Sequence, residues 1–84
     1  MALAARGAHD RVDWFRVLTD LQYAEWPHSR VSAELGVPLA TIRGWKAGSE
    51  PAYNSGSRLV ALWAREMRRD RDDVPMISPY DWRA

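Results

Sequence analysis

Residues 28–48, HSRVSAELGVPLATIRGWKAG, hold most of the side chains whose types and spacing could do chemistry. Arg43 and Lys46 are cations three residues apart, preceded by Leu39, Ala40 and Thr41. His28, Ser29 and Arg30 open the same stretch with three polar donors in a row. An arginine fork can take guanine O6 and N7 together, while hydroxyl, ammonium and imidazole donors suit phosphate oxygens. That is binding chemistry, and bond-making chemistry has no comparable set. The two histidines, His9 and His28, lack metal-ligand spacing, and without cysteine there is no thiolate ligand and no thiol nucleophile. No glycine-rich phosphate loop is present. Asp70, Asp72 and Asp73 lack the glycine and distal glutamate of a calcium loop. The sequence therefore predicts no enzyme, no cofactor and no metal site.

Charge singles out the same segment. The chain has 84 residues, 12 basic and 11 acidic, with a net charge of +1. Residues 28–58 carry Arg30, Arg43, Lys46 and Arg58 against only Glu34 and Glu50, whereas the flanking thirds are near balance. An anionic partner is expected for that middle third alone, and a basic coat of the kind that packages nucleic acid is excluded. A chain this short forms one domain with a small core. The absence of cysteine excludes a disulfide scaffold and fits a reducing compartment. The longest apolar run, Leu59 to Ala64, is far below the roughly 20 residues of a membrane helix. Residues 1–6 do not read as a secretory signal. The expected location is the cytoplasm, with the nucleoid and away from membranes.

The elements that must position these residues follow from spacing. Asp10 or Asp13 offers a helix start, and Trp14, Val17, Leu18 and Leu21 repeat with helical spacing as far as Trp26, before Pro27. Pro27 suits the first turn of a second helix with Val31 and Leu35 on one face, stopped by Gly36. Pro38 opens a third helix in the same way, carrying Ile42 and Trp45 inward and ending at Gly48. After a Gly/Pro/Asn/Ser-rich loop, Asn54 or Ser55 can cap a fourth helix with Leu59, Leu62, Trp63 and Met67 on its inner stripe. Trp14, Trp45 and Trp63 belong to the core, and Trp26 packs at a helix junction. The run 65–73 reads as a solvated helix end with i,i+4 pairs Arg68–Asp72 and Arg69–Asp73. No strand pattern is evident. The expected fold is all-α: a small bundle of four to five helices containing a helix-turn-helix, with an irregular C-terminal tail. Residues 1–9 are expected to form a flexible arm, 10–73 the helix-turn-helix domain, and 74–84 the tail.

Two short helices crossing steeply through a tight turn need an inward apolar pair, a small residue at the crossing, a turn glycine, an apolar plug and a second inward pair. Val31/Leu35, Ser32 or Ala33, Gly36, Val37 and Ile42/Trp45 supply these in order. In such a motif the second helix enters the major groove, so Leu39, Ala40, Thr41, Arg43 and Gly44 face base edges. Arg43 is the main reader, and Leu39 and Ala40 meet thymine methyls. Lys46 and the opening residues His28, Ser29 and Arg30 suit phosphate.

The segment resembles the Cro/phage-repressor (XRE-like) type of helix-turn-helix. The resemblance spans about residues 12–67 and is carried by Ser32, Gly36, Ile42 and the Trp45-Lys46-Ala47-Gly48 ending. Ser32 stands where that family usually has alanine, and Pro38, Leu39 and Ala40 stand where it usually has polar residues. The resemblance implies that the loop and the start of the fourth helix also meet the DNA backbone, through Tyr53, Asn54, Ser55 and Arg58. It implies a sequence-specific regulator of phage or bacterial type, a repressor, binding double-stranded DNA as a homodimer. Met76, Ile77, Tyr80 and Trp82 of the tail are the candidate dimer or partner contact, with packing on their own bundle as the competing role. Two other uses of such a domain are a recruitment module, as in a terminase small subunit or recombination accessory factor, and a protein-interaction bundle of antitoxin or anti-regulator type. With no room for a ligand-binding domain, control falls to concentration or to a regulatory protein partner.

Overall fold

Asp13 sets the start of the first helix. Its side-chain Oδ1 accepts from the Arg16 N–H at 3.1 Å, and the residue is only 3% exposed. Helix α1 then runs Trp14–Tyr23 and buries Trp14, Val17, Leu18 and Leu21. It stops short of the expected Trp26. Glu25 takes a left-handed conformation (φ 70°), and the Trp26 and Glu25 N–H groups close back on the Leu21 and Gln22 carbonyls at 2.8 and 3.1 Å. That pair of bonds ends a helix by itself. Pro27 does not stop α1; it begins the next helix.

The computed structural model describes residues 11–77. Helices α2 (His28–Leu35), α3 (Leu39–Lys46) and α4 (Tyr53–Met67) follow α1, as four helices among the described residues. Pro27 and Pro38 occupy the N-cap positions rather than the first turn, with extended backbone at ψ 166° and 147°. α1 packs on α4 and α3, while α2 packs on α3 and α4. One core joins them, with Val17, Leu18, Leu21, Val31, Ile42 and Leu59 fully buried at its centre. Each such aliphatic side chain contributes about 1.5–3 kcal/mol on burial. Two indoles tie α1 to its neighbours: Trp63 Nε1 on α4 donates to Asp20 Oδ2 at 3.0 Å, and Trp14 Nε1 donates to Glu50 Oε2, in the loop before α4, at 3.3 Å.

The mostly helical fold matches expectation. The tail departs from it. After α4, a short 3-10 turn (Arg71–Asp73) leads to buried Val74 and to Met76–Ile77, which forms strand β2 antiparallel to β1 (Arg11–Val12). The register pairs Arg11 with Ile77 and Val12 with Met76, and the Asp13 N–H donates to the Pro75 carbonyl at 2.8 Å. Residues 74–77 are therefore part of the bundle, and Met76 packs against its core. Of the two predicted ion pairs after α4, Arg69–Asp73 forms at 3.6 Å. Arg68 instead takes the left-handed C-cap position of α4 (φ 57°). The N-terminal arm, Tyr80 and Trp82 lie outside the described residues. No helix among the described residues is long and apolar enough to cross a membrane.

Candidate nucleic-acid interface

The turn between α2 and α3 is built from Ser32, Gly36 and Val37. Gly36 is left-handed (φ 70°), and both its N–H and that of Val37 close on the Ser32 carbonyl, at 2.9 and 3.2 Å. The Ser32 hydroxyl donates to the Val37 carbonyl. The hydroxyl explains serine at a position where a bare alanine would also fit the crossing: it satisfies a turn carbonyl that α2 and α3 leave unpaired. Val37 packs partly buried against the core, as the corner plug should.

Ile42 and Trp45, 0% and 5% exposed, fix the rotation of α3. That rotation puts Ala40, Arg43 and Ala47 on the exposed face, spaced i, i+3, i+7. The outcome is one guanidinium between two methyl groups. Arg43 makes no hydrogen bond or ion pair within the described residues, so its fork is free. Of the other predicted base readers, Leu39 and Thr41 are half-buried. Gly44 is half-buried as well. A Cβ there would lie 3.6 Å from Ser49 Oγ, at ordinary contact distance, because the Ser49 N–H folds back on the Gly44 carbonyl at 2.9 Å. The following loop thus borders Gly44 on that side. Ala47, the C-cap residue just after α3, is exposed one turn beyond Arg43, at i+4 from it.

The helix starts divide in two. α1 is capped by Asp13, but Pro27, Pro38 and Ala52 at the starts of α2, α3 and α4 provide no side-chain acceptor. First-turn N–H groups of three helices are thus left without a side-chain partner, at the electropositive end of each helix. Asn54 and Ser55 do not cap α4, as expected from sequence, but lie inside its first turn. The helix begins earlier than the polar residues suggest, at Tyr53, two residues after Pro51, which is buried beside Gly56. Tyr53 at that start is 86% exposed and free of the core, Asn54 is exposed and Ser55 half-buried.

Two predicted phosphate ligands are committed to the fold instead. Arg58 donates to the Leu35 and Glu34 carbonyls at 3.0 and 3.1 Å, neutralising the C-terminal end of α2 from 23 and 24 residues away. Arg30 donates to the Glu25 carbonyl at 3.0 Å and lies over the Trp26 ring at 3.8 Å, clamping the α1–α2 corner. Lys46 is half-buried, its ammonium 5.2 Å from the centre of the Phe15 ring. His28 is half-buried at the start of α2, and Ser29 beside it is exposed. Burial first, then the charges of Lys46 and Arg43, hold the His28 imidazole below its ordinary pKa. The start of α2 and the second half of α3 are therefore one electrostatic neighbourhood.

Comparison with protein-family models, with curated proteins and with solved structures returned no match for this chain.

Proposed function

We propose that this chain is a sequence-specific DNA-binding regulator that places α3 in the major groove. Arg43 reads a guanine, Ala40 and Ala47 line the close approach on either side, and Leu39 and Thr41 touch the groove edge. Backbone phosphates meet the open starts of α2 and α4, with Ser29, His28 and Lys46 at the first and Tyr53, Asn54 and Ser55 at the second. The observation that carries the reading is the free Arg43 fork, held between small residues on a helix whose rotation is fixed by Ile42 and Trp45. One such helix reads only a few base pairs, so we propose a homodimer on half-sites about 34 Å apart. Met76 and Ile77 contribute less to it than the sequence suggested, since β2 pairs with β1.

The test is selection from a random duplex pool at near-physiological salt. The proposal expects an enriched two-fold motif, with affinity falling steeply as salt rises. Retention without any enriched sequence would refute specific readout. A second reading, a protein-interaction bundle, is favoured by Phe15 and Tyr23, which leave α1 with 54% and 87% of their surface exposed. It predicts no salt-dependent duplex affinity at all.

A further inference from the structure

Ile77, the last of the described residues, borders a hollow whose other walls include Phe15, Trp45 and Lys46. A groove of about 320 Å³ continues along α1 past Phe15, Thr19, Gln22 and Tyr23, and Phe15 and Lys46 line both spaces. Phe15, Thr19 and Tyr23 recur at i, i+4 and i+8, so they form one stripe of the helix. The stripe lies apart from the inward set Val17, Leu18 and Leu21, and the rings at its two ends are exposed. Lys46 is the charged residue on the groove wall, and it makes no ion pair among the described residues. An aromatic stripe with one unpaired cation at its flank thus begins where the described chain stops.

We propose that this groove seats residues 78–84 of the same chain, SPYDWRA, which lie outside the described residues, with Tyr80 and Trp82 on the aromatic stripe and Asp81 beside Lys46. Reach and chemistry both fit. Ser78 precedes Pro79, so the segment leaves Ile77 with a bias to extended backbone. At about 3.3 Å per residue, Tyr80 and Trp82 come roughly 10 and 17 Å from Ile77, and the stripe from Phe15 to Tyr23 is about 12 Å long. Side chains two apart share a face of an extended chain, so both rings turn to the stripe together. Asp81, between them, turns to the rim, where the flexible Lys46 stem can meet it. Residues 1–10 leave the same β1–β2 ribbon, but they hold no phenylalanine, tyrosine or tryptophan to match the stripe. A second copy fits less well. The two exposed rings present on the order of 300 Å², against about 800 Å² per partner in a stable interface between separate chains. A tethered segment needs no such area, because its effective concentration is already about millimolar. With the tail seated, Phe15 and Tyr23 are no longer spare surface for a protein partner, whatever α3 binds.

The experiment follows nuclear Overhauser contacts of the Tyr80 and Trp82 rings in the full chain, without DNA. A sample mixed from isotope-labelled and unlabelled copies separates contacts within a chain from contacts between chains. Both rings should show contacts within the chain to Phe15, Thr19 or Tyr23. The double substitution Tyr80→Ala, Trp82→Ala should remove them and shift the Phe15, Thr19 and Tyr23 signals, with those of α2 left in place. The native spectrum decides by itself if that variant folds poorly. Contacts seen only between copies would give the stripe to a second molecule, and contacts from residues 1–10 would give it to the N-terminal arm. Either result overturns the proposal, as does a spectrum in which either tail ring lacks contacts with the stripe.

Discussion

The α1–α4 half satisfies more of its polar side chains internally than the α2–α3 half does, although α4 also starts without a cap and Thr19 Oγ1 on α1 is buried without a partner. In the first half, Asp13 caps its helix, both interfacial indole N–H groups have carboxylate acceptors, and Asp20 serves both Arg16 and Trp63. In the second, two helices start on prolines with no cap, the Arg43 fork is free, and His28 Nε2 is buried without a partner. Both halves share one core, so the contrast is not one of packing. It separates groups that the fold satisfies for its own stability from groups left for something else to satisfy. Arg58 and Arg30 show the boundary: both stand in the basic third of the sequence, yet each is spent on a helix end or corner.

Substitutions can break or sharpen this contrast. The largest effect belongs to the shared core: Leu18→Ala should cost about 3 kcal/mol of unfolding free energy, read by denaturant titration. Asp13→Ala should cost about 1 kcal/mol by removing the α1 cap. A comparable loss on replacing Pro38 with alanine would erase the difference between capped and uncapped starts, since Pro38 provides no cap to lose. Gly44→Ala sharpens the contrast in the other direction. The new methyl meets Ser49 at ordinary contact distance. It should therefore stabilise the protein by up to about 1 kcal/mol through helix propensity, with duplex affinity unchanged. A loss of affinity in that variant would place Gly44 on the groove face.

α1 and α4 were legible because their apolar residues recur at helical spacing over about two turns, α2 and α3 because a proline opens each and a glycine follows its single inward pair, and the α2–α3 turn because Gly36 sits where a left-handed residue is needed. Ile42 and Trp45 gave the rotation of α3, and hence Arg43 as its exposed cation. What was not legible depended on partners far apart in sequence. The β1–β2 pair joins Arg11–Val12 to Met76–Ile77 by backbone bonds, and two residues per strand leave no periodic trace. The engagement of Arg58 with α2 is likewise a tertiary outcome, and α4 starts before its polar residues. Asn54 and Ser55 have the right chemistry for a cap but lie inside the first turn.

The measurement that tests the central claim most directly compares the native protein with Arg43→Ala on every single-base variant of the selected duplex. Arg43 is exposed and unpaired within the described residues, so unfolding stability should change by less than about 0.5 kcal/mol. Discrimination should vanish at one guanine per half-site, a loss of about 1–3 kcal/mol, while preferences elsewhere persist. An Arg43→Ala protein that keeps both its affinity and its full base preference would contradict the assignment of α3 as the reading helix.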